Sequence, residues 1–328
     1  MTQEPDVLLI TVTDVESRAV IEAFEQATGH KAIPESIDRQ VYFNLGTVNS
    51  ARVFLTRSEM GSLGLGASLL TVNNAIDALL PTAVIMVGIA FGVNEEKQAI
   101  GDILVTEQLR LYDLQRVGTQ KSGEWHVILR GDKPHASSWL INLLKSANLN
   151  WQGARVRLGT VLSGDKLVDN VDFRDQLHRF ESEAIGGEME GAGLYVACQN
   201  KKVDWILVKA ICDWADGNKS LDKDERQKKA AHNAAEFILH ALQFTSIDWR
   251  KQSSPQVTQN LESQRVRADQ EVVSPALVMA RRSLAILEEQ AAGFGKLHLP
   301  AHLRIDLEEK RREVAELEAR LRYGEPNG

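Results

Sequence analysis

Short apolar runs alternate with amphipathic stretches along most of this chain. Residues 6–12 (DVLLITV) read as a buried strand. Residues 19–27 follow as a helix with Val20, Ile21 and Phe24 turned inward. Residues 40–45 and 51–57 read as a hairpin pair, with residues 46–50 turning between them. A Gly- and Ser-rich stretch at 58–66 leads into a helix through Ile76, and 83–87 is the next buried strand. A tight turn is expected at Gly101-Asp102, and a polar surface excursion over 118–133. Helix 137–147, strand 156–162, polar helix 171–183 and a helical run ending at Cys198 come next. Residues 205–211 are almost continuously apolar, as a strand covered on both faces of a parallel sheet should be. A helix over 222–244 turns Phe237, Ile238 and Leu242 toward the sheet.

The pattern then changes. Residues 250–270 are rich in Gln, Ser and charge and poor in apolar side chains, which reads as a linker. Beyond it, Leu277, Ala280, Leu284, Leu287 and Ala291 keep a heptad-like seam. A compact connection at 293–300 follows, and Leu303, Leu307, Val314, Leu317 and Leu321 repeat the seam. Two helices with a short connection predict an antiparallel hairpin. The expected division is a first domain at 1–248, a linker at 249–271 and a helical hairpin at 272–328. One hairpin has little core of its own. Its stripes must dock on the first domain, on a second copy or on a partner protein, and a purely structural appendage is an equal reading.

The chain has 328 residues, enough to bury a substantial core. A formal charge of −7 argues against general affinity for nucleic acid or anionic membrane. The two cysteines, Cys198 and Cys212, form neither a C-x-x-C motif nor a disulfide framework, which fits a cytoplasmic location. No signal peptide is evident, and no apolar run approaches the roughly 20 residues a membrane span needs. No His/Cys/Asp cluster has metal-ligand spacing, so neither metal nor cofactor is implied.

Two acidic clusters flank the 205–211 strand. Glu188-Met189-Glu190 precedes it beside a Gly186-Gly187 turn, and Asp213 follows it. Ligand crevices of open α/β sheets lie at the carboxyl ends of strands, which is where Asp213 falls. The plainer reading makes Asp213 a helix cap and the glutamates solvated. A third acidic position follows the first strand, where Asp14 and Glu16 compete; read structurally, Asp14 would be an N-cap and Glu16 would complement the helix dipole.

EMEGAGLYVAC at 188–198 followed by VKAICDWAD at 208–216 resembles the signature of the nucleoside phosphorylase and methylthioadenosine/adenosylhomocysteine nucleosidase superfamily. GIAFG at 88–92, IGDILV at 100–105 and SGDKL at 163–167 are similar to further ordered motifs of that family. The likeness covers roughly three-quarters of the chain. It implies a three-layer α/β sandwich with a mixed central sheet, oligomeric and commonly dimeric. It also implies roles: Glu16 activates the attacking water, Asp213 protonates the purine, and Glu190 with Met189 holds the ribose. Glu188 binds a hydroxyl or holds its loop, and Ala90, Phe91 and Gly92 line base and ribose. Two positions depart from the pattern. Phe91 stands where a small residue is usual, and Leu167 replaces the aromatic residue that packs on the purine. The C-terminal segment is similar to helical pieces appended to bacterial conflict and signalling effectors.

Purine N-glycoside cleavage must neutralise charge on the departing base and stabilise an oxocarbenium-like sugar. A carboxylic acid at N7 meets the first need, and burial would raise the pKa of Asp213 toward that role. Carboxylates at the ribose hydroxyls meet the second. Phosphorolysis would further need fixed cations for phosphate, yet the first turn is TVTDVESR and Ile89 stands where a serine would bind phosphate. The expected activity is therefore hydrolysis of an adenine nucleoside or nucleotide, in metabolism or as a stress or antiviral defence effector. Lys166, Lys209 and Lys219 are candidates for phosphate contacts. A phosphate-dependent purine nucleoside phosphorylase, a methylthioadenosine/adenosylhomocysteine nucleosidase and a non-catalytic nucleoside-sensing scaffold are the alternatives.

Overall fold

The computed structural model describes residues 5–119, 125–218, 222–244, 246–247, 249, 284, 287–288 and 307–315. The chain divides into two compact units, Met1–Ser254 and Pro255–Gly328.

The first unit runs β1 (Val7–Thr11), α1 (Asp14–Thr28), β2 (Ile33–Ile37), β3 (Gln40–Val48), β4 (Ala51–Arg57), α2 (Ser68–Leu79), β5 (Ala83–Phe91) and β6 (Ile103–Leu111). It continues with β7 (Gln115–Thr119), β8 (Trp125–Leu129), α3 (Ser138–Asn148), β9 (Val156–Ser163), α4 (Val171–Phe180), β10 (Ala184–Glu188), α5 (Gly191–Lys201), β11 (Asp204–Asp213) and α6 (Lys223–Phe244). The main sheet has the strand order β10-β9-β6-β11-β5-β1-β4-β3-β2. It is mixed: β4, β1, β5 and β11 run parallel, β6 is antiparallel to β11, and β2 and β3 form an antiparallel flank. Helix α1 packs on α6, α6 lies along β11 and β5, and α2 packs on α5. The three-layer α/β expectation therefore holds.

The sheet also does something the sequence pattern does not reveal. β10 pairs with β9 on one side and, through Gly187 opposite Phe91, with β5 on the other. Strands β10, β9, β6, β11 and β5 thereby close into a small barrel. Gly186 and Gly187 make the closure possible. A Cβ on Gly187 would sit 2.3 Å from the Phe91 ring, and one on Gly186 would sit 2.6 Å from the Phe91 carbonyl oxygen. These glycines are thus strand residues, not the expected turn. Phe91 lies over Gly187 and is 6% exposed, with Tyr112, Leu162 and Val168 in the same apolar cluster.

Other boundaries move for local reasons. Helix α1 begins at Asp14, not Ala19, because Thr13 caps it: the Thr13 hydroxyl accepts from the Glu16 N–H, and Glu16 accepts from the Thr13 N–H. Strand β3 continues to Val48, past a bulge between Asn44 and Thr47, so the turn narrows to Asn49-Ser50 with Asn49 at φ 54°. The polar stretch 118–133 contains most of a small hairpin, β7 with β8. Gly101 turns at φ 95°, and the Asp102 carboxylate beside it accepts from the Arg157 guanidinium at 2.7 Å.

In the second unit, residues 284, 287–288 and 307–315 are helical. Leu307 and Val314, both seam positions, are buried, and the Arg311 guanidinium donates to Glu288 at 2.7 Å. The rest of the expected hairpin, and the linker apart from Trp249, lies outside the described residues.

Candidate active site

The carboxyl ends of β1, β5 and β11 meet the end of β10 around a cavity of about 220 Å³. Every candidate site residue borders it except Gly92: Glu16, Ala90, Phe91, Leu167, Glu188, Met189, Glu190 and Asp213. Gly92 instead leaves room behind it for Trp214, whose ring would lie 2.4 Å from an added Cβ.

Glu16 reaches the cavity from the first turn of α1. One carboxylate oxygen accepts from the Val12 and Thr13 N–H groups at 2.8 and 2.7 Å, and the other accepts from the Ile89 N–H at 2.7 Å. It is both the capping residue and a site residue, so the two readings of this position are not exclusive. Asp14 is exposed and pairs with Arg57, away from the cavity. Of the two, Glu16 is the one that borders the cavity.

Glu190 is 5% exposed. Its carboxylate accepts from the Gly61 N–H at 3.2 Å and from the Lys209 ammonium at 3.3 Å. The Gly/Ser loop after β4 therefore spends its free N–H groups on protein carboxylates: Gly61 on Glu190, and Ser62 on Asp165 at 2.7 Å. Ser62 and Ser68 donate to the Met189 and Glu190 carbonyls at 3.0 and 2.8 Å, which ties that loop to the EME segment. Glu188 turns inward on its own chain, accepting from the Glu190 and Gly191 N–H groups, each at 2.8 Å. It holds the start of α5. Burial, and then the neighbouring Glu190 charge, raise its pKa to about 7.

Lys209 is the residue whose role the sequence reading missed. It sits in β11 opposite Gly88, 1% exposed, 3.3 Å from Glu190 and 3.9 Å from Glu16. Burial pulls its pKa down, but Glu190, Glu16 and Glu188 more than offset that, and the ammonium is held well above its ordinary value. It is a fixed counter-ion between two carboxylates, not a free phosphate ligand. A lysine inside an otherwise apolar strand was the available signal, since a buried ammonium requires carboxylate partners.

Asp213 ends β11, where the register with β5 slips between Ile211 and Asp213. Such a bulge re-aims side chains, and here both Cys212 and Asp213 border the cavity. The Asp213 carboxylate accepts from the Ala215 N–H at 2.9 Å and from the Cys212 thiol at 3.2 Å. It is partly exposed, less enclosed than a strand-end position suggested. At the mouth, Leu167 is 63% exposed and Lys166 pairs with Asp113. Lys219 lies outside the described residues. The arrangement sets one partly exposed acid beside a buried group of three carboxylates and one ammonium.

Comparison with known proteins identifies the family and the fold. The model of the phosphorylase superfamily matches residues 7–243. A death domain-containing ATP nucleosidase of Amphimedon queenslandica is 30% identical over 260 residues, which are 72% of this chain and 48% of that protein. The chain thus spans about half the length of that relative. A 5'-methylthioadenosine/S-adenosylhomocysteine nucleosidase of Staphylococcus epidermidis is 27% identical over 198 residues, covering 60% of this chain and 84% of that one. Among solved structures, the corresponding nucleosidase of Neisseria meningitidis superposes with a TM-score of 0.61 at 22% identity, over 73% of this chain and 99% of that one. The futalosine hydrolase of Helicobacter pylori gives 0.60 at 22% identity, over 73% and 97%. These two likenesses establish the fold.

Proposed function

This chain belongs to the phosphorylase superfamily, and from that premise we propose that it is a purine nucleosidase that hydrolyses the N-glycosidic bond of an adenine nucleoside or nucleotide. The observation that carries the proposal is the meeting of Asp213, Glu190 and Glu16 around one cavity. Asp213 is the acid for the departing base, donating to the purine N7. Glu190 accepts from the ribose hydroxyls and stabilises positive charge developing at the sugar. Glu16, fixed by three N–H donors, accepts from the attacking water. The C1'–N9 bond breaks and a bond from C1' to the water oxygen forms. Asp213 gives its proton to the base, Glu16 takes one proton from the water, and the other water proton stays on the new sugar hydroxyl; exchange with solvent returns the proton from Glu16 to Asp213.

The cavity lining supports water as the acceptor. Its cations are Lys166, Lys209 and Lys223, with no arginine among the described lining residues, and Lys209 is already committed to Glu190 and Glu16. Ile89 contributes its N–H to the Glu16 carboxylate, which leaves it no donor for a bound phosphate. The related nucleosidases of Amphimedon queenslandica and of Staphylococcus epidermidis support an adenine-bearing substrate. The purified chain is expected to release free adenine from adenosine, methylthioadenosine or ATP in phosphate-free buffer, at a rate that added phosphate does not change. Strict dependence on phosphate, read by chromatography of base and sugar products, would overturn the assignment.

Gly88 gives a second handle on the same reading. A Cβ there would lie 2.0 Å from a Glu16 carboxylate oxygen and 3.1 Å from the Lys209 nitrogen. Gly88→Ala must therefore push Glu16 off its N–H donors. Displacing a reacting group by an ångström costs about 100-fold in rate, and the overpacking costs ~1–3 kcal/mol of stability. Turnover and thermal unfolding measured together check both. A variant with full turnover would mean that Glu16 does not hold the water.

A further inference from the structure

The cavity is electrically divided. Its buried wall carries Glu16, Glu188 and Glu190 around Lys209. Its open side carries Lys223 and Gln227, one helical turn apart on α6, and Lys166 from the loop after β9, beside the exposed apolar side chains of Met60 and Leu167. Lys223 and Lys166 are both exposed; Lys166 also pairs with the exposed Asp113, a surface contact that a phosphate can displace. The acidic neighbours of Lys223 in sequence, Asp222 and Asp224, do not border the cavity.

The stereochemistry of a purine ribonucleoside orients it in such a cavity. With the base on Asp213 and the 2'- and 3'-hydroxyls on Glu190, the 5'-carbon projects from the opposite edge of the sugar, away from the buried carboxylates and toward the open side. A neutral 5'-substituent would need only the apolar side chains at that end, Met60 and Leu167, and would leave the ammonium groups beside them without a use. Two ammonium groups and a carboxamide suit an anionic chain, since charge-assisted hydrogen bonds to phosphate oxygens are the strong ones.

Resting on the nucleosidase reading above, we infer that Lys223, with Gln227 and Lys166, forms a subsite for the 5'-phosphate chain and makes a purine nucleotide, not a nucleoside, the preferred substrate. The bond broken is the same C1'–N9 bond. The products are the free base and a ribose that keeps its 5'-phosphates. Lys223 is a specificity residue: it touches the phosphate chain and takes no part in the proton transfers.

The test uses the full-length chain with adenosine, AMP and ATP as substrates, and reads kcat and KM for each. The wild type is expected to prefer ATP over adenosine in kcat/KM, with an ATP KM that rises with ionic strength. Lys223→Glu should lower the ATP-to-adenosine ratio of kcat/KM by about 10- to 100-fold, the range for a lost hydrogen bond to a charged group. The loss should fall mainly in KM, and the salt dependence should weaken. Lys223→Arg should restore much of the ratio, which a merely structural role would not require. Gln227→Glu should move the ratio in the same direction as Lys223→Glu, by placing a like charge one turn along. An unchanged ratio in Lys223→Glu, with adenine still released, would overturn the subsite and leave the nucleosidase reading standing. Release of adenine from none of the three substrates by the wild type would overturn both.

Discussion

Asparagine in place of Asp213 is expected to lower purine release by about 10²–10⁴-fold, the usual contribution of a positioned general acid, with little change in the thermal midpoint. The substitution is close to isosteric. The amide oxygen can still accept from the Ala215 N–H, and the slip in register that aims the side chain is a property of the backbone. What is lost is a proton that can leave. A carboxylic acid can deliver one to the purine N7 as the glycosidic bond lengthens; an amide cannot. Lys209 and the glutamates are not substitutes, because their hydrogen bonds hold them on the ribose side of the cavity. The sharper measurement compares leaving groups. A riboside whose aglycone departs without protonation, such as a p-nitrophenyl riboside, should lose far less rate in Asp213→Asn than adenosine does. Equal losses for both would mean that Asp213 positions the substrate instead of protonating it, and near wild-type turnover on adenosine would remove it from the mechanism.

Asp213 was legible because of the strand before it. Seven almost continuously apolar residues are too few for an ordinary helix and read as a buried strand, and a polar residue at its carboxyl end falls where ligands bind in such sheets. Glu16 was legible only through the family resemblance. In local terms it is a well-placed capping residue, and the structure shows that it is one. Its second role depends on the Ile89 N–H arriving 73 positions later, which no local pattern encodes. β10 was missed because the two glycines that let the barrel close are poor strand formers when read along the chain. Their meaning lies in the Phe91 ring and the Leu104 side chain packed where Cβ atoms would be. Phe91 itself, a departure from the family pattern, fills the space those glycines leave, so the two oddities explain each other. Glu188 was read as binding a hydroxyl or holding its loop, and its hydrogen bonds run to the chain two and three residues ahead, as the second reading requires.

Methionine in place of Lys209 should be the most destabilising single change in the site. The ammonium is 1% exposed and lies within 4 Å of two carboxylates, so its removal leaves Glu16, Glu188 and Glu190 buried together without a cation. Breaking a buried pair by deleting one partner costs about 3–5 kcal/mol. The loss should depend on pH, with a sign that Glu188 sets. Its pKa in the folded chain is raised from 4.5 to about 7, chiefly by burial and then by Glu190. The fold therefore favours its protonated form. That contribution to stability is fully present below pH 4.5, declines as pH rises through 7, and is constant above. Lys209 is one of the groups that oppose the shift. Without it, the cluster should hold its proton to higher pH, and ionising it should cost more. The gap in thermal midpoint between wild type and Lys209→Met should accordingly be smallest near pH 5 and widen toward pH 8. Lys209→Arg keeps the charge and should close most of that widening, even where its larger head group strains the space beside Gly88. A gap that does not change with pH would mean that Lys209 contributes packing alone, and the reading of this cluster as a charge-balanced seat for the ribose and the water would have to be abandoned.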